Sequence, residues 1–134
     1  VSVGKLEAAK TPLTQICAIV DGMFEWSRQY PAQRAAYLYF FYSASHSDQY
    51  RKVHSQMLQT GFHRISAILE QRLKTKGRSQ ISKTRVASQT IWATTLGLLI
   101  YSMTSENVAD RDSFRKTALQ SAKAICHEVL GDLV

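Results

Sequence analysis

Proline occurs only twice in these 134 residues and glycine six times, so turn-forming clusters are far apart. That scarcity argues against a sandwich or barrel of many short strands and leaves long helices as the natural reading. Cysteine is equally scarce. Cys17 and Cys126 are too few for a disulfide scaffold, and both sit among apolar helical neighbours, as buried thiols in a reducing compartment do. A disulfide between them stays open at this point. No apolar run reaches the ~20 residues of a transmembrane helix, and no basic-then-apolar leader opens the chain. The chain begins at Val1 rather than methionine, as a fragment or processed product does.

Catalytic signatures are missing as well. There is no P-loop, dinucleotide fingerprint, HExxH or CxxC. His46, His54, His63 and His127 share no zinc-ligand spacing. Cys126 and His127 are sequence neighbours, which point to different sides of a helix and make a poor nucleophile–base pair. Asp21 and Glu25 stand one helical turn apart, an arrangement typical of a solvated face. The expectation is therefore no enzyme, no catalytic residues, no metal and no cofactor.

What remains is helical pattern and positive charge. The length suits one domain, here residues 11–134, after a flexible lead-in over residues 1–10. Seventeen Lys and Arg against ten Asp and Glu give a net charge of +7. From Arg28 to Arg85 there are eleven cations against Asp48 and Glu70 alone, which fits either a solvated basic face or an anionic partner.

Five helices can be placed. Thr11-Pro12 starts the first, Thr11 as cap and Pro12 in the first turn, and it runs to about Gln29, where Tyr30-Pro31 breaks it. Pro31 opens a short second helix to about Ala44. Its five aromatics in six positions (Tyr37, Tyr39 to Tyr42) predict a place in the middle of the domain, with some tyrosines lining a hollow. Ser47 caps the third, which Gly61 is expected to kink or split and Gly77 to terminate. The fourth spans Ile81 to Thr104, and the fifth follows a polar turn, Ser105 to Arg111, and runs from Asp112 to Val134.

The last two helices are apolar on two sides. Trp92, Leu96, Leu99 and Met103 share one side of the fourth; Ile91, Leu98 and the small Ser88, Thr95 and Ser102 share another. Ala118, Ser121, Ala122 and Ala124 on the fifth permit close helix approach, and Gly97 costs roughly 1 kcal/mol relative to Ala unless close crossing offsets it. A helix apolar on two sides needs two sets of partners, so a second copy of the chain is expected at this surface. The simpler alternative is a closed monomeric core.

The stretch from Trp92 to Ile100, with Gly97 and Leu98 at its centre, is similar to a W-A-x-x-x-G-L-x-x-L helix of TetR-family transcriptional repressors. Tyr30-Pro31-Ala32 leading into Tyr37 to Phe40 is similar to the same family's helix, x-Pro, aromatic helix passage. The chain from about Thr11 thus resembles that family's C-terminal, effector-binding and dimerisation domain. The resemblance implies an all-α fold whose last two helices pair across a two-fold axis into a four-helix bundle. That interface would use Ile91, Thr95, Leu98, Ser102, Ala118, Ala122, Ile125 and Val129. It also implies a cavity for a small apolar or amphipathic effector, lined by Met23, Trp26, Tyr37, Phe40, Phe41, His54, Met57, Trp92 and Leu96. The setting would be the bacterial cytoplasm, with no membrane contact. DNA would be read only through a helix-turn-helix domain, and no stretch here offers a tri-helical segment with a basic recognition helix. A second reading is a helical module that binds nucleic acid or acidic protein through Arg72, Lys74, Lys76, Arg78, Lys83 and Arg85.

Overall fold

The computed structural model describes residues 11–78 and 80–134. The lead-in expected over 1–10 lies outside the described residues. Among the described residues five α-helices follow one another: α1 (Pro12–Gln29), α2 (Pro31–Ala44), α3 (Asp48–Thr75), α4 (Ile81–Thr104) and α5 (Val108–Leu130), closed by a 3-10 turn at Gly131–Leu133. The fold is all-α, with no strand among the described residues. Among the described residues no helix is long and apolar enough to cross a membrane.

Local chemistry sets each boundary. Thr11 and Thr14 bond reciprocally, each hydroxyl accepting from the other's backbone N–H at 3.1–3.2 Å, and Pro12 occupies the first helical position of α1. At the corner between α2 and α3, Arg51 donates to Ala44 O and Ser45 O, both at 3.2 Å, and so caps the carboxyl end of the preceding helix. Gly77, at φ +65°, ends α3: its N–H bonds Lys74 O, and Arg78 N–H reaches back to Leu73 O at 2.9 Å. α5 begins earlier than the pattern suggested, at Val108 rather than Asp112. Asn107 Oδ1 accepts from Ala109 N at 2.9 Å, while Arg111 folds back onto Ser105 O. It also ends earlier, at Leu130, and Leu133 enters the core from the turn beyond.

α4 and α5 form the most extensively packed pair; α3 lies along α4, α1 along α5, and α2 sits on α3. The centre of the core is Ile16, Val20, Ile65, Leu69, Ile91, Leu99 and Cys126, all essentially sealed from solvent. Burial pushes the Cys126 thiol up to about 12, with the nearby Cys17 adding to the rise. Both cysteines are free thiols. Ser88, Thr95 and Ser102, expected on a partner-facing side of α4, instead face inward. Thr84, Ser88, Thr95 and Ser102 are buried, and each hydroxyl donates to a carbonyl three or four residues earlier at 2.7–3.0 Å. Short side chains with self-satisfied hydroxyls let neighbouring backbones close in without leaving polar atoms unpaired.

Two expectations are corrected. α2 does not run through the middle of the domain; only Ser43 and Ala44 are buried, and Tyr39 is 71 % exposed. With aromatics on every side and one neighbour of substance, it can bury only part of its circumference. Gly61 does not split α3, which is continuous over 28 residues. Its missing side chain is a socket: a Cβ placed there would overlap Cε2 and Cζ2 of the Trp92 indole.

Gly61→Ala would ordinarily stabilise a helix interior by roughly 1 kcal/mol. Here it should lower the melting temperature, because the ring must move, while Trp92→Ala alone should cost roughly 3–5 kcal/mol. In the double variant the alanine at 61 should do no further harm, which thermal melts of the four proteins would show. For Cys126, the folded pKa lies above that of the unfolded thiol, so its contribution to stability is full below about pH 9. It is lost as pH rises from there toward about 12, because the unfolded chain releases the proton first. Urea unfolding from pH 8 to pH 10.5 should therefore show a steeper decline for the wild type than for Cys126→Ala.

Candidate functional site

The residues expected to line an effector cavity fall into separate places. Trp26 and Tyr37 meet edge to face at 6.0 Å, and Trp26 Nε1 donates to Gln33 Oε1 at 3.1 Å. Burial raises the Tyr37 pKa. Phe40, Phe41 and His54 form a second group, the two phenyl rings at 6.0 and 5.3 Å from the imidazole, with Tyr50 against Phe40 at 5.5 Å. Trp92 is seated at Gly61, Met23 is half-buried against the core, and Leu96 is part of the core itself. Met57 is 47 % exposed. Two polar atoms in this region are orphans: His54 Nε2 and Trp92 Nε1 are both buried without a hydrogen-bond partner. No tyrosine hydroxyl reaches the imidazole. Each orphan costs about 1–3 kcal/mol relative to a satisfied group.

A cavity among the described residues lies elsewhere, and none of those nine residues lines it. It is an open groove of about 640 Å³ where the second half of α1 and the start of α2 meet the end of α4 and the start of α5. Phe24, Pro31, Met103 and Val108 supply apolar wall; Arg28, Arg34, Arg111 and Arg115 alternate with Asp21, Glu25 and Asp112. Arg115 pairs with Asp21 at 2.5 Å and lies 3.6 Å from Asp112, which Lys116 also holds at 3.1 Å. The hydrogen bond from Lys116 and its charge hold the Asp112 carboxyl below its usual range. Arg28 pairs with Glu25 at 2.6 Å. Arg34 and Arg111 are held differently, by backbone carbonyls: Arg34 donates to Ser27 O at 3.3 Å, Arg111 to Ser105 O at 3.1 and 2.9 Å. Four arginines drawn from three helices converge here because the tertiary fold brings residues 21–34 to residues 102–115. That closeness has no periodic trace in the sequence.

Of the eight residues expected at a dimer interface, Ile91, Thr95, Ser102, Ala118 and Ala122 are enclosed by their own chain. They form the close α4–α5 seam and are not available to a partner, and Ala122→Arg would disrupt the fold rather than an interface. Leu98, Ile125 and Val129 are half-buried at the edge of the core. The outward side of α4 carries Val86, Thr90, Ala93, Gly97 and Tyr101 instead, with Val86 63 % and Tyr101 62 % exposed. Tyr101 leans on Phe114 of α5 at 5.8 Å, which joins this side to the neighbouring helix. The signal that could have found it is the absence of any charged residue from Val86 to Thr104.

Of the basic segment, Arg72 is bound to Leu133 O at 2.9 Å and Arg78 lies 3.6 Å from Asp132. Two of its six cations thus fasten the carboxyl end of the chain, leaving Lys74, Lys76, Lys83 and Arg85 exposed. Among the described residues no group of three or more His, Cys, Asp or Glu is placed to hold a metal ion. No protein-family model matches the chain, and no curated protein or solved structure matches it.

The orphaned imidazole gives a direct check. His54→Leu removes an unsatisfied buried nitrogen and keeps an apolar contact with Phe40 and Phe41. Stability should stay level or rise by up to about 1–3 kcal/mol. A clear fall in the denaturation midpoint would mean that Nε2 has a partner in solution.

Proposed function

We propose that this chain is a ligand-sensing and homodimerising module, the effector half of a TetR-like transcriptional repressor, working in the bacterial cytoplasm. DNA contact belongs to a helix-turn-helix outside these 134 residues. The motif resemblance of the Trp92 helix and of the Tyr30-Pro31 passage supports the class. One structural observation carries the dimer: the outer side of α4 is exposed, uncharged and centred on a glycine with nothing opposite it.

A Cβ placed on Gly97 would meet no atom within 4 Å. Among the described residues nothing therefore calls for glycine, although it costs the helix roughly 1 kcal/mol relative to Ala. A second copy crossing at Gly97 supplies the reason, since close helix approach needs a position without a side chain. Val86, Thr90, Ala93 and Tyr101 extend that face along α4, and Phe114, Ser121 and Ile125 continue it onto α5. A two-fold axis there pairs α4 and α5 of both copies into a four-helix bundle. It uses a face next to, and not identical with, the small-residue stripe.

The aromatic half supports the ligand side of the reading. His54 Nε2, between the rings of Phe40 and Phe41, and Trp92 Nε1, at Gly61, are polar atoms without partners, and a small apolar effector with one or two polar groups gains orientation from such atoms. α1 touches α3, α4 and α5, so a shift of α1 on binding reaches both halves.

Sedimentation velocity at micromolar concentration should give a dimer for the wild type. Gly97→Arg, at a position open to solvent in the isolated chain, should give a monomer with unchanged helicity. A monomeric wild type, or a Gly97→Arg protein that remains dimeric, removes this interface.

A further inference from the structure

We propose that the groove between α1 and the α4–α5 turn is a second ligand site, distinct from the aromatic clusters, that takes a monocarboxylate with an apolar body.

Its charges decide the class of ligand. Among the described residues four guanidiniums and three carboxylates line the groove, so one positive charge is left over in that set. Arg115 and Arg28 are neutralised by Asp21 and Glu25. Arg34 and Arg111 are not; their bonds go to carbonyl oxygens, which fix the side chains in place without cancelling their charge. Arg111 spends Nε and Nη2 on the single oxygen of Ser105 and keeps Nη1. Arg34 spends Nη1 on Ser27 and keeps Nε and Nη2. Guanidinium donors anchored at one edge and unspent at the other are organised for a carboxylate, which accepts hydrogen bonds in the plane of the fork. Both arginines are half-buried, which strengthens their pull on an anion relative to a solvated side chain.

The remaining lining narrows the choice. Phe24 and Met103 give the groove an apolar wall, which a bare inorganic anion would leave wet. The serine hydroxyl protons are already committed, Ser27 to Phe24 O and Ser102 to Leu99 O, so the donors left to a ligand are the guanidiniums. Asp21, Glu25 and Asp112 repel a second negative charge, which disfavours a phosphate dianion against a carboxylate. The volume of about 640 Å³ lies within the range of sites for small organic ligands. An acid seated between Arg34 on α2 and Arg111 on α5 would bridge the aromatic half of the fold to the helix pair that carries the uncharged face.

The probe is octanoate, titrated into the full chain and followed by amide proton–nitrogen NMR, with 1-octanol and inorganic phosphate as comparisons. Octanoate should saturate, with its largest shifts at Phe24, Arg34, Met103 and Arg111. Octanol and phosphate should each bind at least about tenfold more weakly, and Arg111→Gln should weaken octanoate by about tenfold or more. Octanol binding as well as octanoate, shifts centred on His54 and Trp92, or no saturation would each overturn the proposal. Should Arg111→Gln unfold through loss of its Ser105 bonds, Arg34→Gln decides: unchanged octanoate affinity overturns the site, and a loss of about tenfold upholds it. The dimer stands apart from this result. A monomer that binds octanoate in the groove removes the interface at Gly97 and keeps the site, and a dimer that ignores octanoate does the reverse.

Discussion

The close seam between α4 and α5 is the constraint from which the rest of the molecule follows. Ala87, Ser88, Thr95 and Ser102 on one helix and Ala118, Ala122 and Cys126 on the other are too small to hold the backbones apart. Every hydroxyl among them is spent on its own helix, so closeness costs no unpaired polar group. With those two helices drawn together, the larger apolar residues of α4 are turned sideways. Leu96, Leu99 and Met103 are buried in the core, and Trp92 goes into the notch at Gly61. The uncharged remainder of α4 is then left on the outside.

The arrangement separates two uses of small residues that look alike in one dimension. Thr95 and Gly97 are two positions apart, yet one is sealed inside the chain and the other faces open space. Gly61 and Gly97 are both mid-helix glycines with opposite causes. The first makes room for an indole from the same chain, and the second makes room for nothing in that chain. An interface built at Gly97 would continue outward the packing that the seam begins inward.

Much of the fold was legible in order. Thr11-Pro12, Tyr30-Pro31, Ser47 and Gly77 mark helix ends through local chemistry, and the structure has its helix ends at those residues. The start of α5 was misread because Asn107 is a cap without an apolar run behind it; Val108, Ala109 and Asp110 read as turn. The position of α2 was misread for a different reason. Aromatic content reports how much surface a helix would gain by burial, and not whether the domain has a second layer to cover it. The groove was invisible, since Arg34 and Arg111 are 77 residues apart and belong to no periodic pattern. For the outer face of α4 the signal was present as an unbroken lack of charge, but periodicity alone could not say which apolar side the chain would use for itself.

One corner of the fold limits how the aromatic helix can move. α2 is fastened at its far end by Arg51, which grips Ala44 O and Ser45 O, and at its near end by Arg34 on Ser27 O and the Trp26–Gln33 bond. A rod pinned at both tips cannot swing open like a door. Nor can it roll freely about its own long axis, because Gln33 and Arg34 are residues of α2 itself and a roll would pull them off Trp26 and Ser27 O. The choice of which rings face inward is therefore locked by the same contacts that hold the tips.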